Sequence, residues 1–175
     1  MGQTYASRMA LLLHSLGIAA DYGATRGLKL QREAGRLVHS GKTPDGRAIR
    51  LSPRAASAWK RMQAAAARDG IELLPVSGFR SVRRQTKIIR AKLAAGRTLA
   101  TILRVNAAPG YSEHHTGRAL DIGTPGHVAL DGRFARTSAF RWLGRHAKKF
   151  GFHLSYPRNS PSGIVYEPWH WCWRA

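Results

Sequence analysis

Residues 110–123, GYSEHHTGRALDIG, gather a serine, a glutamate, two adjacent histidines and an aspartate in a chain with nine acidic residues and eight histidines. A second stretch, VYEPWHWCW at 165–173, adds Glu167 and His170. Imidazoles and a carboxylate are donors for a divalent cation, and three of them beside an open fourth position is the layout of a catalytic zinc. His114 and Asp121, seven apart across a glycine turn, can converge on one point, although the spacing does not compel it. His170 can supply the third ligand. Glu167 fits a base better than a ligand, because Asp121 already brings the anion. Zinc lowers the pKa of its water to roughly 7, and a nearby carboxylate can take up the proton and return it to a leaving group. In an unbroken strand, the odd interval from Glu167 to His170 would send the two side chains to opposite faces. Pro168 lies between them and allows a bend. The same residues also fit a plainer arrangement, with Asp121 capping a turn and Glu167 and His170 rimming an aromatic patch. Residue types and spacing leave both open.

The elements that must carry these residues are punctuated clearly. ALDIG reads as a strand and HHTG as the turn feeding it. Near the start, Met9, Leu12, Leu13 and Leu16 mark one face of an amphipathic helix. RLVHSGKTPDGRAIRLS reads as two short strands around a Pro-Asp-Gly turn. SPRAASAWKRMQAAAARDG is a helix with Ser52 at its N-cap, Pro53 as its first residue and Gly70 as its left-handed stop, its apolar stripe running through Ala55, Trp59, Met62 and Ala66. IELLPVSGF reads as a buried strand. A basic helix over about 81–95 turns Val82, Ile89 and Leu93 inward. TSAFRWLGRHAKKFG is a helix capped by Thr137 or Ser138 and closed by Gly151. FHLSYP, with Phe152, Leu154 and Tyr156 on one side, is a half-buried strand, and IVYEPWHW is the last strand. Without a regular βαβ alternation, this order predicts an α+β fold with a small, mainly antiparallel sheet flanked by helices.

Composition narrows the classes. A chain of 175 residues that is 43% hydrophobic is expected to form one domain with a proper core. Its one cysteine, Cys172, excludes an internal disulfide framework and a thiolate-rich zinc site. No stretch approaches the roughly 20 apolar residues of a membrane span. RMALLLHSLGIAADYG at 8–23 faintly imitates an export signal, but His14 interrupts it, and it is read as folded chain. The net charge of +20 suits anionic partners such as nucleic acid, lipid headgroups or bacterial wall polymers. His115 reads as a neighbour of the site, and His14, His39, His127, His146 and His153 as ordinary surface or hydrogen-bonded residues. Trp169, Trp171 and Trp173 read as packing.

SEHHTGRALD fits the pattern S-x-H-x-x-G-x-A-x-D, and EPWH fits E-x-W-H. With the upstream SGFRSVRRQ, similar to S-G-[FY]-R-S-x-x-x-Q, these motifs in this order resemble the VanY-type zinc D-alanyl-D-alanine carboxypeptidases over residues 54–173. The resemblance implies a hedgehog/D-Ala-D-Ala peptidase fold, one zinc ion held by His114, Asp121 and His170, and Glu167 as catalytic base. It also implies Arg80, Gln85 and Ser112 around a peptidoglycan stem peptide. A planar guanidinium at Arg80 suits a two-pronged grip on a terminal carboxylate, and the Ser112 hydroxyl can bond the same carboxylate or the scissile peptide. Residues 1–53 then form a helix-and-hairpin extension ahead of a peptidase core at 54–175, within one domain.

Alternatives within this class are an L,D-carboxypeptidase or a phage-lysin-type endopeptidase. An inactive basic module binding wall polymer or nucleic acid is the alternative outside it. Such a substrate implies the cell envelope; with no convincing export signal expected, the cytoplasm stays open. The cations Arg83, Arg84, Lys87, Arg90 and Lys92 are read as a solvated helix face, because no recognition motif or interleaved aromatic accompanies them. No specific nucleic acid is expected as a partner.

Overall fold

The computed structural model describes residues 2–174. Its centre is a four-stranded antiparallel sheet in the order β3 (Leu74–Ser77), β4 (Ala119–Gly123), β6 (His170–Trp173), β5 (Phe152–Leu154). A separate hairpin, β1 (Val38–Lys42) and β2 (Ala48–Leu51), turns through Pro44-Asp45-Gly46. Gly46 takes the left-handed conformation there (φ 85°), and the Asp45 carboxylate accepts from the Thr43 hydroxyl and the Arg47 guanidinium.

One sheet face is apolar. Leu120, Ile122, Phe152 and Trp171 pack against Trp59, Met62 and Ala66 of α3 (Pro53–Arg68) and Ala139 and Leu143 of α6 (Ser138–His146). The predicted stripe of α3 is the stripe that is buried. Ser52 precedes Pro53 as expected but makes no side-chain cap bond; Gly70 follows at φ 70°. Thr137 caps α6 by accepting from the Phe140 N–H. The α-helix gives way at Ala147 to a 3-10 turn that ends at left-handed Gly151. Trp171 is buried and Trp169 and Trp173 pack partly against this core, as the sequence suggests.

A second core joins α1 (Tyr5–His14) and α2 (Tyr22–Thr25) to α4 (Val82–Ala94) and α5 (Leu99–Leu103), through Met9, Leu13, Tyr22, Val82, Ile89 and Ile102. The basic helix therefore has its expected bounds and inner face, with Ser81 accepting from the Arg84 N–H as its cap.

Three strand expectations need correction. The last strand begins at His170, not Ile164. Pro168 has no N–H for a ladder, and the His170 N–H turns back to the Glu167 carbonyl at 3.1 Å. β3 is a half-buried sheet edge, not a buried strand, a position where Pro75 is tolerated. Tyr156 leaves the face shared by Phe152 and Leu154: β5 stops at Leu154, and Tyr156 packs with Ala107 and Ile164 beside the His170 ring.

Candidate metal centre and its cleft

β4 and β6 pair with Asp121 directly opposite His170. Cross-strand partners hold their Cβ atoms roughly 4.5–5.5 Å apart, so sheet register alone brings these two side chains together. Both leave the face opposite the apolar core, and both are buried. The third residue arrives on a turn. His114 lies in the 3-10 turn Glu113–Thr116, and its Nδ1–H donates to the Gly78 carbonyl at 2.6 Å. In return the Arg80 N–H donates to the His114 carbonyl at 3.1 Å. The loop after β3 thus grips His114 from two sides and leaves its Nε2 facing Asp121 Oδ2 at 3.3 Å.

Two glycines permit this approach. A Cβ on Gly78 would sit 2.9 Å from the Arg50 carbonyl, and one on Gly117 would sit 2.8 Å from Leu37 and 2.9 Å from the Ser52 nitrogen. Gly117 is also left-handed, at φ 64°, which a side chain resists.

One donor atom from each of His114, Asp121 and His170 lies within 4.8 Å of the others. Two imidazoles and one carboxylate, buried and converging, fit a zinc ion by donor type. His170 turns Nδ1 toward Asp121 Oδ1 at 3.1 Å, while its Nε2 meets Glu113 Oε2 at 3.1 Å. A carboxylate behind a ligand imidazole fixes its tautomer and orientation. Glu113 is a residue of this cluster that spacing does not reveal, since its contact spans 57 positions. Arg174 lies 3.7 Å from the other Glu113 oxygen.

The electrostatics follow from these contacts. Burial pulls the metal-free His170 imidazole down, but hydrogen bonds to Asp121 and Glu113 outweigh it and hold the pKa at about 10. For Glu113, burial is overcome by His170, and the carboxyl falls to about 2. Asp121 is likewise driven below the usual carboxylate range, its burial outweighed by His114 and His170. His114 is pushed below the usual imidazole range by burial, against the pull of Asp121.

Glu167 behaves oppositely. Burial raises it to about 7 despite nearby His170. It sits on the turn before β6, outside strand alternation, with Oε2 3.8 Å from His170 Nδ1. The bend at Pro168 therefore lets Glu167 and His170 share one cleft.

That cleft, of about 300 Å³, is lined by the four residues above together with Arg80, Gln85 and Ser112. Arg80 donates to Gln85 Oε1 at 3.0 Å and to Ser77 Oγ at 3.3 Å, and reaches to 4.0 Å from Asp121. Gln85 is fully buried, and its Nε2 donates to the Ala107 carbonyl at 2.7 Å. Both ends of its amide are thereby engaged in holding Arg80 against the 107 segment. Ser112 is buried and caps no N–H of the turn it begins. His115 is more than a neighbour. Fully buried, it donates from Nδ1 to the Arg80 carbonyl (2.6 Å) and accepts the Gly110 N–H at Nε2 (3.1 Å).

The residues before the motifs also touch this loop. Gln31 donates its N–H to Gly110, Ala34 donates to His115, and Glu33 accepts from Val82 at 2.5 Å. The Gly110 and His115 contacts brace the turn that carries His114, and the Glu33 contact holds the start of α4.

Residues 48–175 match the family model described as VanY, D-alanyl-D-alanine carboxypeptidase. The chain belongs to the VanY family. YodJ of Bacillus subtilis (strain 168), named as a candidate carboxypeptidase, is 39% identical over 119 residues, covering 66% of this chain and 43% of YodJ. The chain thus spans less than half the length of that relative. Among solved structures, the LD-carboxypeptidase LdcB is 34% identical with a TM-score of 0.73, covering 82% of this chain and 70% of LdcB. A mutant of the vancomycin-resistance D,D-pentapeptidase VanY from a VanB-type cassette, in complex with Zn(II), is 27% identical with a TM-score of 0.62, covering 82% of this chain and 80% of its own. The α+β architecture is that of the hedgehog/D-Ala-D-Ala peptidase fold, as the motifs imply.

Proposed function

We propose that this VanY-family chain is a zinc metallo-carboxypeptidase that removes the C-terminal residue of peptidoglycan stem peptides, with D-alanyl-D-alanine termini as its first substrates. The observation that carries this reading is Glu167: a carboxylate in the same cleft as the His114–Asp121–His170 cluster, raised by burial to about 7. A general base works best with a pKa near the working pH. In this reading His114 Nε2, Asp121 and His170 Nδ1 hold the ion, and Glu113 orients His170 from behind. Zinc, when bound, supplies Lewis acidity to the site.

Glu167 accepts a proton from the water that attacks the scissile carbonyl and passes it to the departing amine. Arg80, braced by Gln85 and Ser77, grips the terminal carboxylate of the peptide in a charge-assisted contact. The Ser112 hydroxyl donates to the same carboxylate. A stem-peptide substrate assigns the work to the cell envelope. No described helix is long and apolar enough to cross a membrane.

The similarity to LdcB favours a second reading, an L,D-carboxypeptidase. Mass spectrometry of products from defined penta- and tetrapeptide stems separates the two. Loss of one alanine from the pentapeptide supports the first reading, and loss from the tetrapeptide alone supports the second. The Glu167→Ala protein should keep stoichiometric zinc yet lose hydrolysis. Wild-type turnover in that variant would remove the proposed base.

A further inference from the structure

Four cations of α4 point outward: Arg83, Arg84, Lys87 and Arg90 are exposed. Lys92 is not one of them. It follows Gln85 by two helical turns and so shares its face, and it lines the same cleft as Arg80 and Asp121. Its half-buried ammonium donates to the side-chain oxygen of Asn106, a neutral partner. No ion pair among the described residues includes it. Burial, then Arg97 and Arg80, draw the ammonium below the ordinary lysine range, against the weaker pull of Glu167 across the cleft. A partly desolvated cation gains most from an opposite charge beside it. Asn106 accepts from Lys92 at Oδ1, which leaves its amide N–H groups as donors to an incoming anion.

We propose that Lys92 and Asn106 form a second anion anchor, which selects peptides carrying a carboxylate in addition to the one at their C-terminus. The peptide nature of the ligand rests on the function proposed above; the anchor itself rests on the cleft. Lys92 lies seven helical residues, a rise of about 10 Å, beyond Gln85, the residue that holds Arg80, and an extended peptide covers about 3.3–3.6 Å per residue. The second carboxylate therefore lies within about three residues of the first. Arg80 and Lys92 thus act as two cationic posts along one wall, and a peptide with an ammonium in place of that carboxylate is repelled.

The test uses the zinc-loaded protein and two tetrapeptides with free C-termini, identical except for a carboxylate or a carboxamide on the side chain of the third residue. KM and kcat are measured by product release, and Kd by calorimetry on Glu167→Ala. The carboxylate peptide should bind about tenfold more tightly, as expected for a charge-assisted contact, with kcat nearly unchanged and the preference shrinking in salt. Lys92→Met should abolish the preference by weakening the carboxylate peptide alone, and Lys92→Arg should keep it.

Equal affinity for both peptides in the unsubstituted protein overturns the anchor, as does an equal loss for both in Lys92→Met, which would make Lys92 a prop for the 106 segment. If neither peptide is cut but the difference in Kd persists, the anchor stands and the peptidase reading falls. If both are cut without discrimination, the reverse holds.

Discussion

Leu120, Ile122 and Trp171 point from the β4–β6 pair into the layer beneath α3 and α6, whereas Asp121 and His170, their direct neighbours in sequence, point into the cleft. Burial does not distinguish the two faces, since Asp121 is 2% and His170 3% exposed against 0% for Ile122. What differs is the source of their stability. The apolar face is held by contact and area, which any well-fitting hydrocarbon provides. The polar face is held by opposite charges kept in contact away from water, an arrangement that fails when one partner is removed. A bound metal ion would take over that second role.

The largest expected effects come from exchanging the two kinds of damage. Ile122→Ala should cost about 2–5 kcal/mol of unfolding free energy by leaving a cavity, with zinc affinity of the folded protein little changed. Asp121→Asn keeps the shape and removes the charge. It should weaken zinc binding by at least about 100-fold, given the roughly 10–16 kcal/mol that a full ligand set can supply, and, by leaving the buried His170 cation without one of its partners, also cost metal-free folding about 3–5 kcal/mol. Chelator competition and denaturant titration read the two quantities separately. The contrast between the faces collapses if Ile122→Ala weakens zinc binding of the folded protein as much as Asp121→Asn does.

Much of this division was legible before any coordinates. The alternation of ALDIG sends Leu120 and Ile122 one way and Asp121 the other, and Ser52, Pro53 and Gly70 delimit α3 by local chemistry. His114, Asp121, Glu167 and His170 could be gathered as candidates, but their convergence could not be derived. It depends on the register of β4 against β6 and on the grip of Gly78 on His114, both long-range. For the same reason Glu113 escaped notice: nothing local says that a residue beside one ligand reaches the far nitrogen of another. Lys92 is hidden for a different reason. Its spacing from Gln85 places it on the cleft face, yet the row of exposed cations around it made the whole helix read as solvated.

The next effect in size is a dependence of zinc stabilisation on pH. Without metal, the His170 pKa is raised from 6.5 to about 10. Its contribution is therefore full below about 6.5 and is lost as pH climbs through the folded value. Glu167, raised from 4.5 to about 7, acts in the same direction across 4.5–7. Glu113, lowered from 4.5 to about 2, contributes above 4.5 and loses its effect only as pH falls toward 2. The metal-free protein should thus weaken as pH rises from 6 to 9, while a zinc-loaded site needs no proton on His170. Thermal unfolding with zinc and with EDTA should show a Tm gap that widens across that range. A gap independent of pH would mean that the ion does not replace the His170 proton.

His114 comes from neither sheet face, and a smaller perturbation tests how its turn is held. Gly117→Ala forces a side chain into the left-handed region at about 1–2 kcal/mol and presses its Cβ against Leu37 and the Ser52 nitrogen. Zinc affinity should fall by about tenfold through the displaced turn, the usual scale for an outer-shell change, while Ile122 and its layer keep their packing. A loss of stability with zinc affinity intact would show that the turn relaxes without moving His114.

Arg83 and Arg90 mark the lower bound. Both lie on the exposed side of α4, the helix whose inner side carries Val82 and Ile89 and whose cleft side carries Gln85 and Lys92. Neither takes part in an ion pair among the described residues. Replacing both with serine should shift unfolding by no more than about 0.5 kcal/mol for each and leave zinc affinity unchanged. Only long-range attraction should respond, as slower association with anionic wall fragments at low salt and no difference above about 0.5 M, where screening shortens the reach of exposed charge to a few ångströms. A salt-independent loss would instead assign these outward arginines a specific contact, and the division of α4 into a solvated side and a cleft side would have to be redrawn.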